Sequence, residues 1–117
     1  MKFIVTGTHA YGELSLNSDL DIVMLRGYAE LLIGFLKDHN IEVYRTEAQE
    51  EYKEHGGFYF DLDRMQINII IAKDKIDLDR WKYSTKKMRE MPPIKNRQKR
   101  IDTFNSLYPE DEDDIPF

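Results

Sequence analysis

Short runs of apolar, often β-branched residues occur at five places along the chain and predict five strands. The first run ends at Gly7, and the last contains three consecutive isoleucines at 69–71, as expected of a central strand that is buried on both faces. The predicted strands span residues 2–6, 20–25, 41–45, 58–60 and 65–72.

Other segments place their apolar residues three and four positions apart, which is the spacing of a helix that is buried on one side. Residues 28–39 show this spacing, and Asn40 lies near the predicted end of the helix. Further helices are predicted at 79–91, where two prolines follow, and at 95–107. The polar residues 46–57, which end in two glycines, are predicted to form a loop or a short irregular helix. The chain is therefore predicted to be an α+β protein, with helices packed on a small mixed β-sheet.

Composition limits the number of domains and the kinds of site. With 117 residues, of which 41% are hydrophobic, the chain is long enough for one core and too short for two. It has no cysteine, which excludes disulfides and thiolate metal ligands. No run approaches the roughly 20 apolar residues of a membrane helix, and the first residues do not resemble a signal peptide. A cytoplasmic protein without a membrane partner is therefore expected.

The charges are distributed unevenly. Five of the 22 acidic residues lie at positions 110–114, and the other 17 equal the 17 bases, so the net charge of -5 arises from this tail. Between residues 80 and 100 the bases outnumber the acids nine to one. One interpretation is that the basic segment binds an anionic partner such as nucleic acid, and the other is that a solvated helix is followed by a solubilising tail. The predicted division is a domain at 1–108 and an acidic tail at 109–117.

Asp19 and Asp21 lie two positions apart at the start of the second predicted strand, so both side chains point to the same face of the sheet. Adjacent carboxylates repel each other unless a cation lies between them, and Mg²⁺ prefers such oxygen ligands and shares them with phosphates. Upstream, Gly7 ends a strand and Thr8 follows with a hydroxyl, at a bend where backbone N–H groups can receive a phosphate. Alone, the pair of aspartates is more often part of a solvated turn.

The pair does not stand alone. Residues 7–12 (GTHAYG) and 18–23 (SDLDIV) closely resemble the signature of the DNA polymerase β-like nucleotidyltransferase superfamily. That signature consists of a strand, a Gly-Ser pair, a connection of about ten residues, and alternating carboxylate and apolar residues on the next strand. Thr8 takes the place of the serine and keeps its hydroxyl, and ten residues separate it from Asp19.

The resemblance implies a reaction. In that superfamily the two aspartates, here Asp19 and Asp21, hold two Mg²⁺ ions that bind a nucleoside triphosphate and align a hydroxyl for attack on the α-phosphate. Gly7, Thr8 and Ser18 would bind the nucleotide, and pyrophosphate would leave. The implied function is transfer of a nucleotidyl group from an NTP to a hydroxyl acceptor.

A third carboxylate normally stands on a neighbouring strand, and Asn68 occupies that position here. An amide can ligate a metal through its carbonyl oxygen, but it is neither charged nor a general base. Three explanations stay open. The site works with Asp19 and Asp21 alone, with Asn68 beside them; or Asp61 or Asp63 from the preceding turn supplies the carboxylate; or catalysis is lost and the fold binds a nucleotide or a protein.

A narrower resemblance covers most of the chain. Small phage-encoded nucleotidyltransferase-like proteins are similar in having an Asn-Leu-Ile type of strand, an Asp shortly after it and an Arg-x-x-x-Phe helix. The matching residues are Asn68 with the two isoleucines that follow it, then Asp74, and then Arg100 with Phe104. This resemblance implies a phage protein that acts in a bacterial host cell.

The last eight residues, EDEDDIPF, resemble the C-terminal tip of bacterial single-stranded-DNA-binding protein. Such a tip inserts its final aromatic ring into an apolar pocket of a replication or repair enzyme, so the resemblance implies docking on host proteins that recognise that tip. It also supports an alternative function, in which a catalytically degenerate fold interferes with host DNA metabolism. The other interpretation is an acidic mask that folds over residues 80–100. The predicted partner-binding residues are Asp113, Asp114, Ile115, Pro116 and Phe117.

Overall fold

The structure is a computed structural model that describes residues 3–7, 10, 19–49 and 52–109. These residues form five strands and three helices. The strands are β1 (Phe3–Thr6), β2 (Leu20–Leu25), β3 (Tyr44–Gln49), β4 (His55–Leu62) and β5 (Met65–Ala72). The helices are α1 (Arg26–Asp38), α2 (Lys75–Arg89) and α3 (Arg97–Leu107). None of the helices in the described ranges is long and apolar enough to cross a membrane.

All five strands belong to one mixed sheet with the order β1-β2-β5-β4-β3. The parallel pair is β2 with β5, near the centre, and every other neighbouring pair is antiparallel. Helices pack on both faces of this sheet. The predicted α+β class, a small mixed sheet with helices packed on it, is confirmed.

The two faces of the sheet carry separate cores, because successive side chains of a strand point to opposite faces. On one face, Met24 of β2 and Ile69 of β5 pack with α1. On the other, Val23 and Ile70 pack with α2 and α3 around Trp81, which is 2% exposed. The α2 side is apolar only toward the ends of β2 and β5. Nearer the start of each strand the same face becomes polar, at Asp21 on β2 and Asn68 on β5. The candidate site lies on this polar part of the face.

The loop or irregular helix predicted for residues 46–57 is wrong at 46–49 and 55–57, which belong to β3 and β4, whereas residues 52–54 form a turn. The strand predicted at 41–45 begins three residues later than expected. β3 occupies the edge of the sheet, and five of its six residues are exposed. Its polar sequence therefore reflects solvent on both faces of an edge strand. The two glycines lie inside β4, where a Cβ on Gly57 would come within 1.8 Å of the Ile69 carbonyl oxygen. They permit a close approach of strands and do not mark the end of a loop.

The starts of α2 and α3 differ from the predicted ones, and each follows a polar residue whose side chain caps the helix. α2 begins at 75 and not 79, since the Asp74 side chain accepts a hydrogen bond from the Asp77 N–H at 2.8 Å. α3 begins at 97 and not 95, after Asn96 accepts from the Lys99 N–H at 2.9 Å. β4 and β5 pair antiparallel and are joined by the two-residue turn Asp63 and Arg64.

Candidate functional site

The candidate site is a row of residues that crosses the sheet at the start of β2. Asp21 is the register partner of Thr6 on β1 and of Asn68 on β5, and Asn68 is in turn paired with Tyr59 on β4. Directly paired residues point to the same face of a sheet, so these side chains form one line. Thr6 is buried beneath α2, where its hydroxyl hydrogen-bonds the Thr85 hydroxyl at 2.9 Å.

Away from Thr6 the row is accessible, and with its neighbours it forms what we call the polar half-face. Asp21, Asn68 and Tyr59 are half-buried, as is Gln66. Asp19, two residues before Asp21 on the same side of the chain, is exposed. The polar half-face consists of Asp19, Asp21, Tyr59, Asp61, Gln66 and Asn68.

A chain of side-chain hydrogen bonds fixes the centre of the polar half-face. The Gln66 Nε2 donates to Asn68 Oδ1 at 2.8 Å, and the Asn68 Nδ2 donates to Asp21 Oδ1 at 2.9 Å. Asn68 therefore supports the carboxylate with a donor, and its own carbonyl oxygen is already engaged. A carboxylate at position 68 would repel Asp21 in the absence of a cation, whereas the amide does not.

Gly7 lies directly against Asp21. Its φ of +68° is a left-handed conformation that favours glycine. A Cβ at this position would lie 2.3 Å from Asp21 Oδ2, so only a bare backbone can approach the carboxylate this closely. The Ala10 N–H donates to the Gly7 carbonyl at 3.0 Å and closes a turn after β1. The glycine thus serves both the backbone turn and the position of the aspartate.

The described residues bring together four of the predicted site positions: Gly7, Asp19, Asp21 and Asn68. The predicted nucleotide-binding residues Thr8 and Ser18 lie outside the described residues. So does the predicted docking tip, which comprises Asp113, Asp114, Ile115, Pro116 and Phe117.

Of the two proposed substitutes for a third carboxylate, Asp61 is the better placed. It is the register partner of Gln66, so it points to the polar half-face one step beyond the Asn68 row. Asp63 lies instead in the two-residue turn after β4, where it and Arg64 have φ of 51° and 72°. Asp61 lies two strands from β2, or about 10 Å at the usual strand spacing.

The carboxylate oxygens of the polar half-face are too few to bind Mg²⁺ by themselves, but they could bind an ion that also contacts substrate phosphates. Within the described ranges, no group of three or more His, Cys, Asp or Glu side chains is placed to hold a metal ion. Asp19 and Asp21 nevertheless present hard oxygen ligands next to a backbone turn. Mg²⁺ often binds through one or two carboxylates and completes its shell with water and substrate phosphates.

The outer edge of the same face carries a pair of tyrosines. Tyr44 on β3 is the register partner of Tyr59, and the two rings stack with centroids 5.0 Å apart. A hydrogen bond to Glu42 and the charges of Glu42 and Asp61 raise the pKa of the Tyr44 phenol. The charged side chains around this pair are therefore acidic.

The other end of β5 leads to a second polar group, which we call the buried polar cluster: His55, Asp77 and Tyr108, all less than 9% exposed. Asp77 Oδ2 accepts from His55 Nε2 at 2.5 Å and from the Lys73 N–H at 2.8 Å. The Tyr108 hydroxyl donates to the other carboxylate oxygen. No sequence motif links these residues, because His55 and Tyr108 lie 22 and 31 positions from Asp77 along the chain.

The buried polar cluster shows strong electrostatic coupling. Burial raises the pKa of Asp77, but the hydrogen bonds from His55, Tyr108 and the Lys73 N–H, with the charge of His55, lower it to a net value below the ordinary one. Burial and the hydrogen bond to Asp77 together raise the pKa of Tyr108 far above the usual range. The hydrogen bonds of the buried polar cluster connect β4, α2 and the residue that follows α3, so the cluster has a structural role.

Residues 80–100 do not form one basic surface. Lys82, Lys86 and Arg89 are exposed on α2 at positions that share one side of a helix, so they form a basic stripe. Arg80 instead turns toward the buried polar cluster. Trp81 belongs to the core, in contact with His55 and Tyr108 rings.

Compared with known proteins, the chain matches no family model, no curated protein and no solved structure. The resemblance to the nucleotidyltransferase superfamily therefore rests on the motif residues themselves.

Proposed function

We propose that the chain is a metal-dependent nucleotidyltransferase that transfers a nucleotidyl group from an NTP to a hydroxyl acceptor. The observation that carries the proposal is the contact of Asp21 with both Gly7 and Asn68. A turn with backbone N–H groups, a carboxylate and the third motif position thus meet at one end of a mixed sheet. Their chain order is the one in the superfamily signature.

Each residue has a role that follows from its chemistry. Asp19 and Asp21 would hold Mg²⁺ together with the triphosphate, and Gly7 lets the backbone turn lie against Asp21. Bound Mg²⁺ would neutralise the triphosphate and the departing pyrophosphate. Asn68 positions Asp21 by donating to its Oδ1.

Asn68 cannot accept the proton of the acceptor hydroxyl, because an amide is not a base. Another group must accept it. As the acceptor oxygen bonds to the α-phosphorus, the bond to pyrophosphate breaks and the proton passes to water or to Asp61. Asp61 points to the same half-face and is exposed. If Asp61 accepts the proton, Asp61→Asn slows turnover but leaves NTP binding intact. If water accepts it, Asp61→Asn changes neither.

Calorimetric titration with NTP in Mg²⁺ and in EDTA tests the proposal. We expect Mg²⁺-dependent binding by the unchanged chain, and at least a tenfold loss of affinity in Asp19→Asn and Asp21→Asn. Asp38→Asn, an exposed aspartate at the end of α1, is the matched control and should bind normally. Binding that is equal in all four proteins, or independent of Mg²⁺, would exclude this site.

A second candidate function is a binding module without catalysis. The Asn68 amide occupies Asp21 Oδ1, an oxygen that a metal would otherwise use, and this favours a fold that has kept its scaffold and lost turnover. The biology would then depend on residues 110–117 docking on host replication or repair proteins. The expected result is no NTP binding, together with capture of an enzyme that recognises the tip of single-stranded-DNA-binding protein. Deletion of Phe117 should abolish that capture, and unchanged capture would contradict the docking role.

A further inference from the structure

A cavity of about 350 Å³ lies beside the buried polar cluster, at the start of α2. Three cationic side chains line it: Lys53, Lys73 and Arg80. Lys73 directly follows β5, five residues after Asn68, which places the cavity about 16 Å along the strand from the polar half-face. It is therefore separate from the Asp19 and Asp21 site.

The two carboxylates that line this cavity are already engaged. Asp77 accepts from His55, Tyr108 and the Lys73 N–H. Asp74 caps α2 by accepting from the Asp77 N–H at 2.8 Å. The wall of the cavity therefore carries three cationic side chains and two carboxylates that are engaged in hydrogen bonds.

Arg80 provides the most specific sign that an anion binds here. Its Nε is buried and has no hydrogen-bond partner among the described residues. A buried N–H without an acceptor is costly, and such groups in native proteins are usually met by water or by a ligand. A guanidinium presents several N–H donors in one plane, which matches the oxygens of a phosphate.

Lys53 is held at the cavity by an uncommon backbone. Lys53 and Glu54 have consecutive left-handed φ angles of 55° and 59°, and neither is glycine. The turn is closed by the Glu54 N–H, which donates to the Gln49 carbonyl at 2.8 Å. This conformation puts the Lys53 ammonium 4.8 Å from the centre of the Tyr108 ring, in the wall of the cavity. Strained conformations of this kind persist where the surrounding structure imposes them, often at binding sites.

From these observations we infer that Lys53, Lys73 and Arg80 form a phosphate-binding pocket. The shared chemistry is a phosphate group, which comes either from a free phosphate or from the phosphodiester backbone of a nucleic acid. The exposed stripe of Lys82, Lys86 and Arg89 lies on the opposite side of the same helix from Arg80, so it is not part of this pocket. The inference does not depend on the Asp19 and Asp21 site.

Inorganic phosphate is the first probe. Full-length protein is titrated in EDTA without NTP, with sodium chloride matching the ionic strength, and amide chemical shifts are followed by NMR. We expect saturable shifts at Lys53, Lys73 and Arg80 with phosphate and none of that size with chloride. Arg80→Gln should weaken phosphate binding at least tenfold. The control Arg89→Gln, on the exposed side of the same helix, should bind like the unchanged protein.

Equal phosphate binding by Arg80→Gln and the unchanged protein would overturn the inference, as would equal shifts with chloride. A circular dichroism spectrum establishes that each variant is folded. If Arg80→Gln does not fold, Lys53→Gln carries the test, and it must also weaken phosphate binding at least tenfold. A variant at position 53 that binds normally would then refute the pocket.

A single-stranded oligonucleotide of about ten nucleotides distinguishes the two sources. If the strand competes with phosphate and loses affinity in Arg80→Gln, the pocket takes a phosphodiester. If the strand fails to displace phosphate, the pocket takes the free anion. Both outcomes support the pocket, and each assigns its ligand.

Discussion

Two polar groups lie at opposite ends of β5, and they differ in how accessible their carboxylates are. Asp77 is 4% exposed, and three donors occupy both of its oxygens. Asp21 is half-buried and receives the Asn68 amide on one oxygen, while Asp19 beside it is exposed. A buried and fully bonded carboxylate holds elements together, whereas an accessible one can bind a ligand.

The largest expected effect comes from exchanging each of these two aspartates for asparagine. Asp77→Asn puts an NH₂ group where donors already converge, so either His55 or Tyr108 loses its acceptor in a buried place. We expect a loss of about 3–5 kcal/mol in the free energy of unfolding. Asp21→Asn should change that free energy by less than about 1 kcal/mol, because the site is accessible. Urea denaturation measures both, and equal losses would contradict the comparison.

Acid should also affect the two regions differently. The pKa of Asp77 is lowered in the folded protein, so its contribution to stability is complete above the unfolded pKa of about 3.9 and is lost as pH falls through the folded pKa. We expect the urea midpoint to fall steeply below about pH 4. In Asp77→Asn that part of the dependence should be absent. An identical decline in both proteins would assign the acid sensitivity to other carboxylates.

Gly7→Ala should damage the polar half-face through its backbone. The new methyl group would lie 2.3 Å from Asp21 Oδ2 in a left-handed conformation, so the turn or the carboxylate must move. We expect a stability loss of about 1–3 kcal/mol and at least a tenfold loss of Mg²⁺-dependent NTP affinity. The matched control is Gly34→Ala in α1, where a Cβ meets nothing within 4 Å. It should stabilise the helix by about 0.5–1 kcal/mol and leave binding unchanged.

Most of the polar half-face could be predicted from the sequence, because its motif is local along the chain. Asp21 lies in β2 and Asp19 directly precedes that strand, so their spacing of two residues is enough to predict that they lie close together. That Asn68 donates to Asp21 was not predictable, because the bond depends on the register between two strands that are 47 residues apart. The amide had been considered as a metal ligand, yet its carbonyl accepts from Gln66.

The buried polar cluster and β3 could not be predicted for a related reason. His55 follows polar residues and precedes two glycines, so the local pattern indicates a loop. Only the packing of α2 against the start of β4 brings Asp77 to it. The polar sequence of β3 belongs to a strand because β4 supplies its hydrogen bonds from one side. The buried polar cluster therefore depends on partners distant in sequence, and β3 depends on its pairing with the next strand.

A smaller effect is expected when the missing carboxylate is restored. Asn68→Asp replaces a donor by an anion next to Asp21, and without a cation this should cost about 1 kcal/mol. Saturating Mg²⁺ should recover the loss, since an ion that binds only the folded state stabilises it. Asn68→Ala, which removes the amide without adding charge, is the control and should not respond to Mg²⁺. Thermal unfolding in Mg²⁺ and in EDTA checks this, and a cost that Mg²⁺ does not change would argue against a metal between these positions.

The smallest effect is expected at the edge of the polar half-face, where Tyr44 stacks on Tyr59. Cross-strand aromatic pairs contribute about 0.5–1 kcal/mol beyond their separate burial, and Tyr44 is 38% exposed, so a value near the lower end is expected. A double-mutant cycle of Tyr44→Ala and Tyr59→Ala, measured by urea denaturation, isolates this coupling. A coupling energy as large as the stability lost in Asp77→Asn would mean that the polar half-face also stabilises the fold. The comparison between an accessible site and a buried one would then fail.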